Sequence, residues 1–208
     1  MSSPIPKAVI FDLGKVLLDF DYGRTARALV PHSRVDEETF RRALDQSDLL
    51  LRFETGHLSP TEMFAEVVRI TGYRGDFASF AEAFGDIFTE IPSMIALQAR
   101  LRTIGLPTYI FSNTNGLAVD FIRRRFRFFH DFTGYIYSHE VRCMKPQPTI
   151  YEAVEQQSGR RGDELLYIDD REENVQAGAA RGWQVIHHRS PEETIHAVHT
   201  RIAPILPS

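Results

Sequence analysis

A chain of 208 residues, 43% hydrophobic and 25% charged, is long enough to bury a full core, either as one α/β domain or as a core carrying a small inserted module. Its net charge of −4 gives no general attraction to nucleic acid or to an anionic membrane, and no apolar run approaches the ~18 residues of a membrane span. A single cysteine, Cys143, excludes an internal disulfide framework, and the leading residues carry no apolar signal region; a reducing cytoplasm is expected, with Cys143 a buried, inert thiol.

The first expected strand is 8–13, where the short apolar run Ala8-Val9-Ile10-Phe11 ends in acid at Asp12. Between Asp19 and Ile91 the pattern changes. Residues 36–46, 59–72 and 76–88 read as amphipathic helices with no strand among them. Asp36 and Ser59 suit N-cap positions, and Glu62 completes a capping box with Ser59. Arg24, Arg27, Arg41, Arg42 and Arg52 lie in this stretch; a solvated face accounts for most of them, and an anionic substrate could meet some. Helices inserted after the first strand, without strands between them, imply a separate cap at 20–91, with the core at 1–19 and 92–208.

Beyond the insert, a helix over 92–104 stops at Gly105, and the strand 107–112 runs into Ser112-Asn113-Thr114-Asn115. Residues 116–129 read as a helix mixing aromatic and basic side chains. Phe121, Ile122, Phe126 and Phe129 form an inward stripe with the arginines outward, so a core helix is favoured over a nucleic-acid surface. A strand follows at 134–138, then Met144-Lys145-Pro146, then a helix over 148–158 that opens with proline. The strand 165–169 ends in Asp169-Asp170, the helix 171–181 closes at Gly182, and a last strand covers 184–188. His187 and His188 face opposite sides of that strand and make a poor chelate.

Alternating strands and helices with short connections imply an α/β fold, a doubly wound Rossmann-like parallel sheet with an inserted helical module. Ligands of such sheets sit at the carboxyl ends of strands, where Asp12, Ser112 and Asp169-Asp170 all fall. If the acidic ends meet, each like-charge pair at roughly 4 Å costs about 4 kcal/mol at an effective dielectric near 20. A divalent cation, a lysine or a proton must relieve that repulsion.

Four sites in order, Phe11-Asp12-Leu13-Gly14-Lys15-Val16, Phe111-Ser112-Asn113-Thr114, Met144-Lys145-Pro146 and Ile168-Asp169-Asp170, resemble the haloacid dehalogenase-like hydrolase superfamily, and the match spans nearly the whole chain. The insert resembles that superfamily's small helical cap. Asp12-Leu13-Gly14-Lys15-Val16, with Asp19 and Asp21 nearby, resembles bacterial sugar-phosphate phosphatases of the glucose-1-phosphate type and the phosphatase domain of soluble epoxide hydrolases. The resemblance implies a Mg2+-dependent phosphatase acting on a small phosphorylated metabolite, a sugar phosphate among the candidates. Asp12 is then the nucleophile that forms an aspartyl-phosphate, and Lys145 neutralises charge beside it. Ser112 and the backbone N–H of Asn113 hold a phosphoryl oxygen. Asp12, the Gly14 carbonyl and Asp170 hold the metal, supported by Asp169 and Asn174.

Most phosphatases of that superfamily place a second aspartate two residues after the nucleophile as general acid and base, where this chain has Gly14. Losing such a group typically costs about 10²–10⁴-fold in rate. Asp19, Asp21, His139 or a residue of the cap are the candidate substitutes. Glycine there leaves two rivals in view: a metal-free 2-haloacid dehalogenase, disfavoured by the paired acids Asp169-Asp170, and a non-catalytic binding or regulatory protein that keeps the fold.

Overall fold

The structure is a computed structural model that describes residues 4–45 and 48–205. In chain order the elements are β1 (Ala8–Phe11), β2 (Leu18–Phe20), α1 (Tyr22–Leu29), α2 (Glu37–Asp45), α3 (Asp48–Glu54), α4 (Pro60–Thr71), α5 (Phe77–Gly85) and β3 (Phe88–Glu90). They continue as α6 (Pro92–Thr103), β4 (Thr108–Ser112), α7 (Gly116–Arg125), β5 (Gly134–Tyr137), α8 (Ser138–Val141), α9 (Pro148–Ser158), β6 (Leu165–Asp169), α10 (Glu172–Ala180), β7 (Gln184–His187) and α11 (Pro191–Ile202). No described helix is long and apolar enough to cross a membrane.

Five strands pair in parallel in the order β5-β4-β1-β6-β7, the expected doubly wound sheet. Alternation along the strands divides the core in two. Val9, Phe11, Leu166 and Ile168 point into one layer, and Ala8, Ile10, Leu165 and Tyr167 into the other. A strand buried on both faces has no polar positions to show, which is why these segments read as unbroken apolar runs. Each fully buried Leu, Ile or Phe contributes about 1.5–3 kcal/mol.

Between β1 and α6 the helices build a cluster of their own from Phe40, Phe53, Met63, Val67, Phe80 and Phe84, joined by Leu117 of α7. Ser59 caps α4, and the Ser59–Glu62 capping box is formed. The expectation of no strand in this stretch is corrected. β2 and β3 pair antiparallel, Leu18 with Glu90 and Phe20 with Phe88, so the chain enters and leaves the insert through a two-stranded stem. Three-residue strands are too short to show a period of two. The helix expected over 76–88 accordingly stops at Gly85. Helices α1 and α3 were not expected; Gly23 near the start of one and the brevity of the other hide their periodicity. Of the helix expected over 36–46, Gln46 lies outside the described residues.

The helix expected over 116–129 ends at Arg125. Phe126 is extended at φ −118 and ψ 114, and Arg127–Asp131 forms a 3-10 turn. This break lets Phe126, Phe128 and Phe129 all reach the core while Arg123, Arg124, Arg125 and Arg127 stay exposed. Cys143 is buried and directs its thiol at Gln147 Oε1, 3.0 Å away.

Candidate active site

β1 lies between β4 and β6, with Phe11 in register with both Ile110 and Ile168. The residues that follow these pairs therefore emerge side by side at the carboxyl edge. Carboxylate oxygens of Asp12, Asp169 and Asp170 all fall within 4.8 Å of one another. Lys145, presented by the loop before α9, inserts between them. Its ammonium lies 2.9 Å from Asp12 Oδ1 and 2.7 Å from Asp169 Oδ2, and it donates to the Phe111 carbonyl at 3.0 Å. Three donors meet three acceptors, so the buried ammonium is fully satisfied.

Asp169 is the saturated member of the group. It accepts from Lys145, from the Tyr167 hydroxyl, from the Arg171 N–H at 2.8 Å and from Asn174 Nδ2 at 3.0 and 3.2 Å. Burial alone would raise its pKa, but Lys145 and these hydrogen bonds hold it below the ordinary carboxylate value. Asp12 is different. Its described hydrogen bonds, from the Leu13 N–H at 2.7 Å and from Lys145, both fall on Oδ1. Burial pushes Asp12 up to about 8, opposed by Lys145 and reinforced by the Asp169 charge. Asp170 is half-buried and raised by burial and by Asp169, while its backbone carbonyl sits 2.9 Å from His187 Nε2. His187 and His188 thus separate as expected, with His188 Nδ1 2.8 Å from Thr194 Oγ1.

Asn113 does something its sequence context did not announce. Its side chain clips the backbone of Lys145, donating to the Lys145 carbonyl at 3.1 Å and accepting its N–H at 2.8 Å. The lysine loop is thereby fixed to the end of β4. Ser112 is buried next to it, with Oγ 3.3 Å from the Asn113 carbonyl. Gly14 forms a bridge with Leu18, and an added Cβ would lie 2.9 Å from Phe20 Cε1, so a side chain at this position would have to displace that ring.

A cavity of about 280 Å³ stands over the cluster. Asp12, Gly14, Ser112, Lys145, Asp170 and Asn174 line it from the sheet edge, and Tyr22, Leu50, Glu54 and Phe84 close it from the insert. Every residue that the resemblance assigns to phosphate or metal, except the buried Asp169, reaches this wall. The candidate acid/base substitutes Asp19, Asp21 and His139 do not. Asp19 is exposed and paired with Lys15, Asp21 caps α1 and pairs with Arg27 at 2.7 Å, and His139 Nδ1 lies 3.1 Å from the Thr114 carbonyl. Of the insert's arginines, Arg24, Arg27, Arg41 and Arg42 each pair with an acid, Asp86, Asp21, Glu37 and Glu38 respectively, and none lines the cavity. The arginine that does is Arg171, just ahead of α10.

Glu54 was not foreseen. It ends α3, where a carboxylate opposes the helix dipole, but that helix was itself not expected, so nothing in the sequence signals this residue. Burial raises its pKa from 4.5 to about 7, with only Arg171 opposing the rise. The turn behind it is locked to the core. Ser138 Oγ lies 2.6 Å from the Glu54 carbonyl and 3.0 Å from the Thr114 carbonyl, and it accepts the Thr114 N–H at 2.8 Å. Gly56, at φ +68, passes so close to the His139 carbonyl that an added Cβ would stand 2.1 Å from its oxygen.

Fold and site together define an α/β protein with a carboxylate–lysine–carboxylate cluster at a sheet's carboxyl edge, covered by an inserted helical layer. The family of haloacid dehalogenase-like hydrolases matches residues 6–182, and the chain belongs to it. It is similar to D-ribitol-5-phosphate phosphatase of Bacteroides thetaiotaomicron, at 23% identity over 86% of this chain and 89% of that one. Its fold matches a crystal structure of a HAD family enzyme from the same organism in complex with magnesium and inorganic phosphate, with a TM-score of 0.75 and 22% identity over 87% of this chain and 93% of the other. It also matches L-2-haloacid dehalogenase from Xanthobacter autotrophicus, with chloropropionic acid covalently bound, at a TM-score of 0.63 and 21% identity over 98% of this chain and 85% of that one.

Proposed function

We propose that the chain is a Mg2+-dependent phosphatase of small phosphorylated metabolites, sugar or polyol phosphates foremost, working through an aspartyl-phosphate on Asp12. The core is residues 1–19 and 92–208, and 20–91 form a cap that supplies substrate contacts and excludes water. One observation carries the reading: three carboxylates lie within 4.8 Å of one another, and Lys145 pairs with two of them, Asp12 and Asp169. The cluster keeps a net negative charge that calls for a cation.

The donor chemistry suits Mg2+, which prefers hard oxygen ligands and leaves positions for water and substrate phosphate. With Asp169 consumed by its own hydrogen bonds, Asp12, Asp170 and the Gly14 carbonyl are left to hold the ion, with Asp169 and Asn174 supporting from behind. When bound, the ion supplies charge neutralisation for the phosphoryl oxygens. The chain's own groups do the rest. Asp12 attacks phosphorus through its free oxygen, while the Leu13 N–H and Lys145 fix the other. Lys145 balances charge as the phosphoryl group approaches. The Ser112 hydroxyl and the Asn113 N–H receive a phosphoryl oxygen. Such a transfer depends on positioning and electrostatics more than on nucleophile strength. The similarity to a ribitol-5-phosphate phosphatase supports a polyol or sugar ester, and a cavity near 280 Å³ suits so small a substrate.

A panel of phosphorylated sugars and polyols, assayed with Mg2+ and with EDTA, tests the reading, with Asp12→Asn as control. Mg2+-dependent phosphate release that Asp12→Asn abolishes is expected. Chloride release from a 2-haloacid, indifferent to EDTA and without phosphatase activity, would assign the chain to the dehalogenases instead. Mg2+ or phosphate binding with no turnover on any substrate would mark a regulatory member.

A further inference from the structure

Transfer of the phosphoryl group from a sugar or polyol ester releases an alkoxide, which needs a proton as the P–O bond breaks. Gly14 offers none. Among the described residues, three carboxyl groups line the cavity: Asp12, Asp170 and Glu54. Asp12 is spent as nucleophile and Asp170 as a ligand. Lys145 has all three protons engaged, and Lys15 is paired with Asp19. Of these described carboxyl groups Glu54 is the one with no other task, and it lines the cavity from the cap side, where the part of the ester beyond phosphorus must lie.

We propose that Glu54 is the general acid and base of the reaction, delivered over the phosphoryl site by the closed cap; the proposal rests on the phosphatase reading above. In the first step an Asp12 oxygen bonds to phosphorus and the P–O bond to the alcohol breaks. Its electron pair goes to the ester oxygen, which takes the Glu54 proton and departs as a neutral hydroxyl. In the second step the Glu54 carboxylate removes a proton from water. The water oxygen bonds to phosphorus, the P–O bond to Asp12 breaks, and its electron pair restores the Asp12 carboxylate. Phosphate leaves and Glu54 is protonated again.

The structure supports each requirement. Glu54 is half-buried because it forms a wall of the cavity, and its carboxyl lies deep enough that burial brings its pKa to about 7, suited to giving and taking a proton near neutrality. Around it stand Arg171 at the start of α10, Lys15 in the turn after β1, the Asp12–Lys145 pair, Asp170, and His139 of α8 behind the turn. Its position is held through the main chain. Ser138 bonds the Glu54 carbonyl and the Thr114 backbone, so the turn that carries the acid is anchored to the loop that follows Ser112.

Glu54→Gln keeps that backbone anchor and the side chain's size, so the variant tests the proton alone. With Mg2+ present, we expect kcat on a polyol or sugar phosphate to fall about 10²–10⁴-fold with KM little changed, and the alkaline limb of the wild-type kcat/KM profile near pH 7 to disappear. On p-nitrophenyl phosphate, whose leaving group needs no proton, Glu54→Gln should give a burst of nitrophenolate equal to the enzyme present, followed by slow turnover as phospho-Asp12 accumulates. Unchanged kcat and an unchanged pH profile would overturn the assignment, as would a loss confined to KM, which would make Glu54 a substrate-binding group. Wild-type protein that hydrolyses neither ester would remove the phosphatase reading itself, a result distinct from either failure of Glu54. Thermal unfolding of the variant confirms that the compared proteins are folded.

Discussion

Lys145 and Asp169 form an ion pair of 2.7 Å with side-chain exposures of only 1% and 0%. Neither charge reaches water, and Asp12 stands 2.9 Å away on the other side of the ammonium. Such a pair adds little stability over an apolar replacement, yet removing one partner strands the other. Under the phosphatase reading proposed above, it persists because the lysine must sit beside the attacking carboxylate. Lys145→Met should abolish phosphatase activity and, without Mg2+, destabilise the protein by about 3–5 kcal/mol. Asp12 is already raised to about 8, so protonating it relieves the repulsion. The deficit should therefore be larger at pH 8 than at pH 5.5, measured by urea unfolding. An equal deficit at both values would show that Asp12 does not feel the loss.

Asp169 and Asp170 are neighbours in sequence with separate tasks. Asp169 is enclosed by Lys145, Tyr167, Arg171 and Asn174, whereas Asp170 lines the cavity. Asp170→Ala should weaken Mg2+ binding about tenfold or more in calorimetry with the metal alone. Tyr167→Phe, which removes one hydrogen bond to Asp169, should cost about 1–2 kcal/mol of stability and change Mg2+ affinity far less. Equal metal affinities for the Asp170→Ala variant and the wild type would contradict the ligand assignment.

Much of this arrangement was legible before the structure, for a physical reason. The runs ending at Asp12, Ser112 and Asp169 are buried on both faces, so burial itself writes them as apolar blocks with a polar residue at the end. What escaped depends on contacts far apart in sequence. Asn113 reads as loop composition until Lys145, 32 residues on, is seen clipped to it. Nothing around Glu54 in sequence says that Ser138 holds its carbonyl or that Asp12 faces the same cavity. The stem formed by β2 and β3 was missed because two three-residue strands, some seventy positions apart, have no local pattern.

Placing an aspartate at position 14 is the obvious way to restore a conventional acid, and the structure argues against success. A Cβ there meets the Phe20 ring at 2.9 Å, in the stem where Phe20 pairs with Phe88. Gly14→Asp alone should lower both activity and melting temperature, because the ring must shift from the base of the insert. Adding Phe20→Ala opens the space, and the double variant should recover activity relative to Gly14→Asp. Higher activity in Gly14→Asp alone would show that the ring yields freely.

The burial that tunes Glu54 also has a cost in stability. A carboxyl whose pKa rises from 4.5 in the unfolded chain to about 7 in the fold binds its proton more tightly when folded. Its contribution is therefore intact below about pH 4.5, and it is lost as pH rises through 7 and the charge must be held in the cavity wall. At 1.36 kcal/mol per unit, the loss reaches up to about 3 kcal/mol above neutrality. Glu54→Gln carries no ionisable group and should escape it. The variant should match the wild type near pH 5 and melt at a higher temperature at pH 8, even as its turnover collapses. A gap that stays flat from pH 5 to pH 8, followed by differential scanning calorimetry without Mg2+, would mean that the Glu54 carboxylate is as well solvated in the fold as in the unfolded chain.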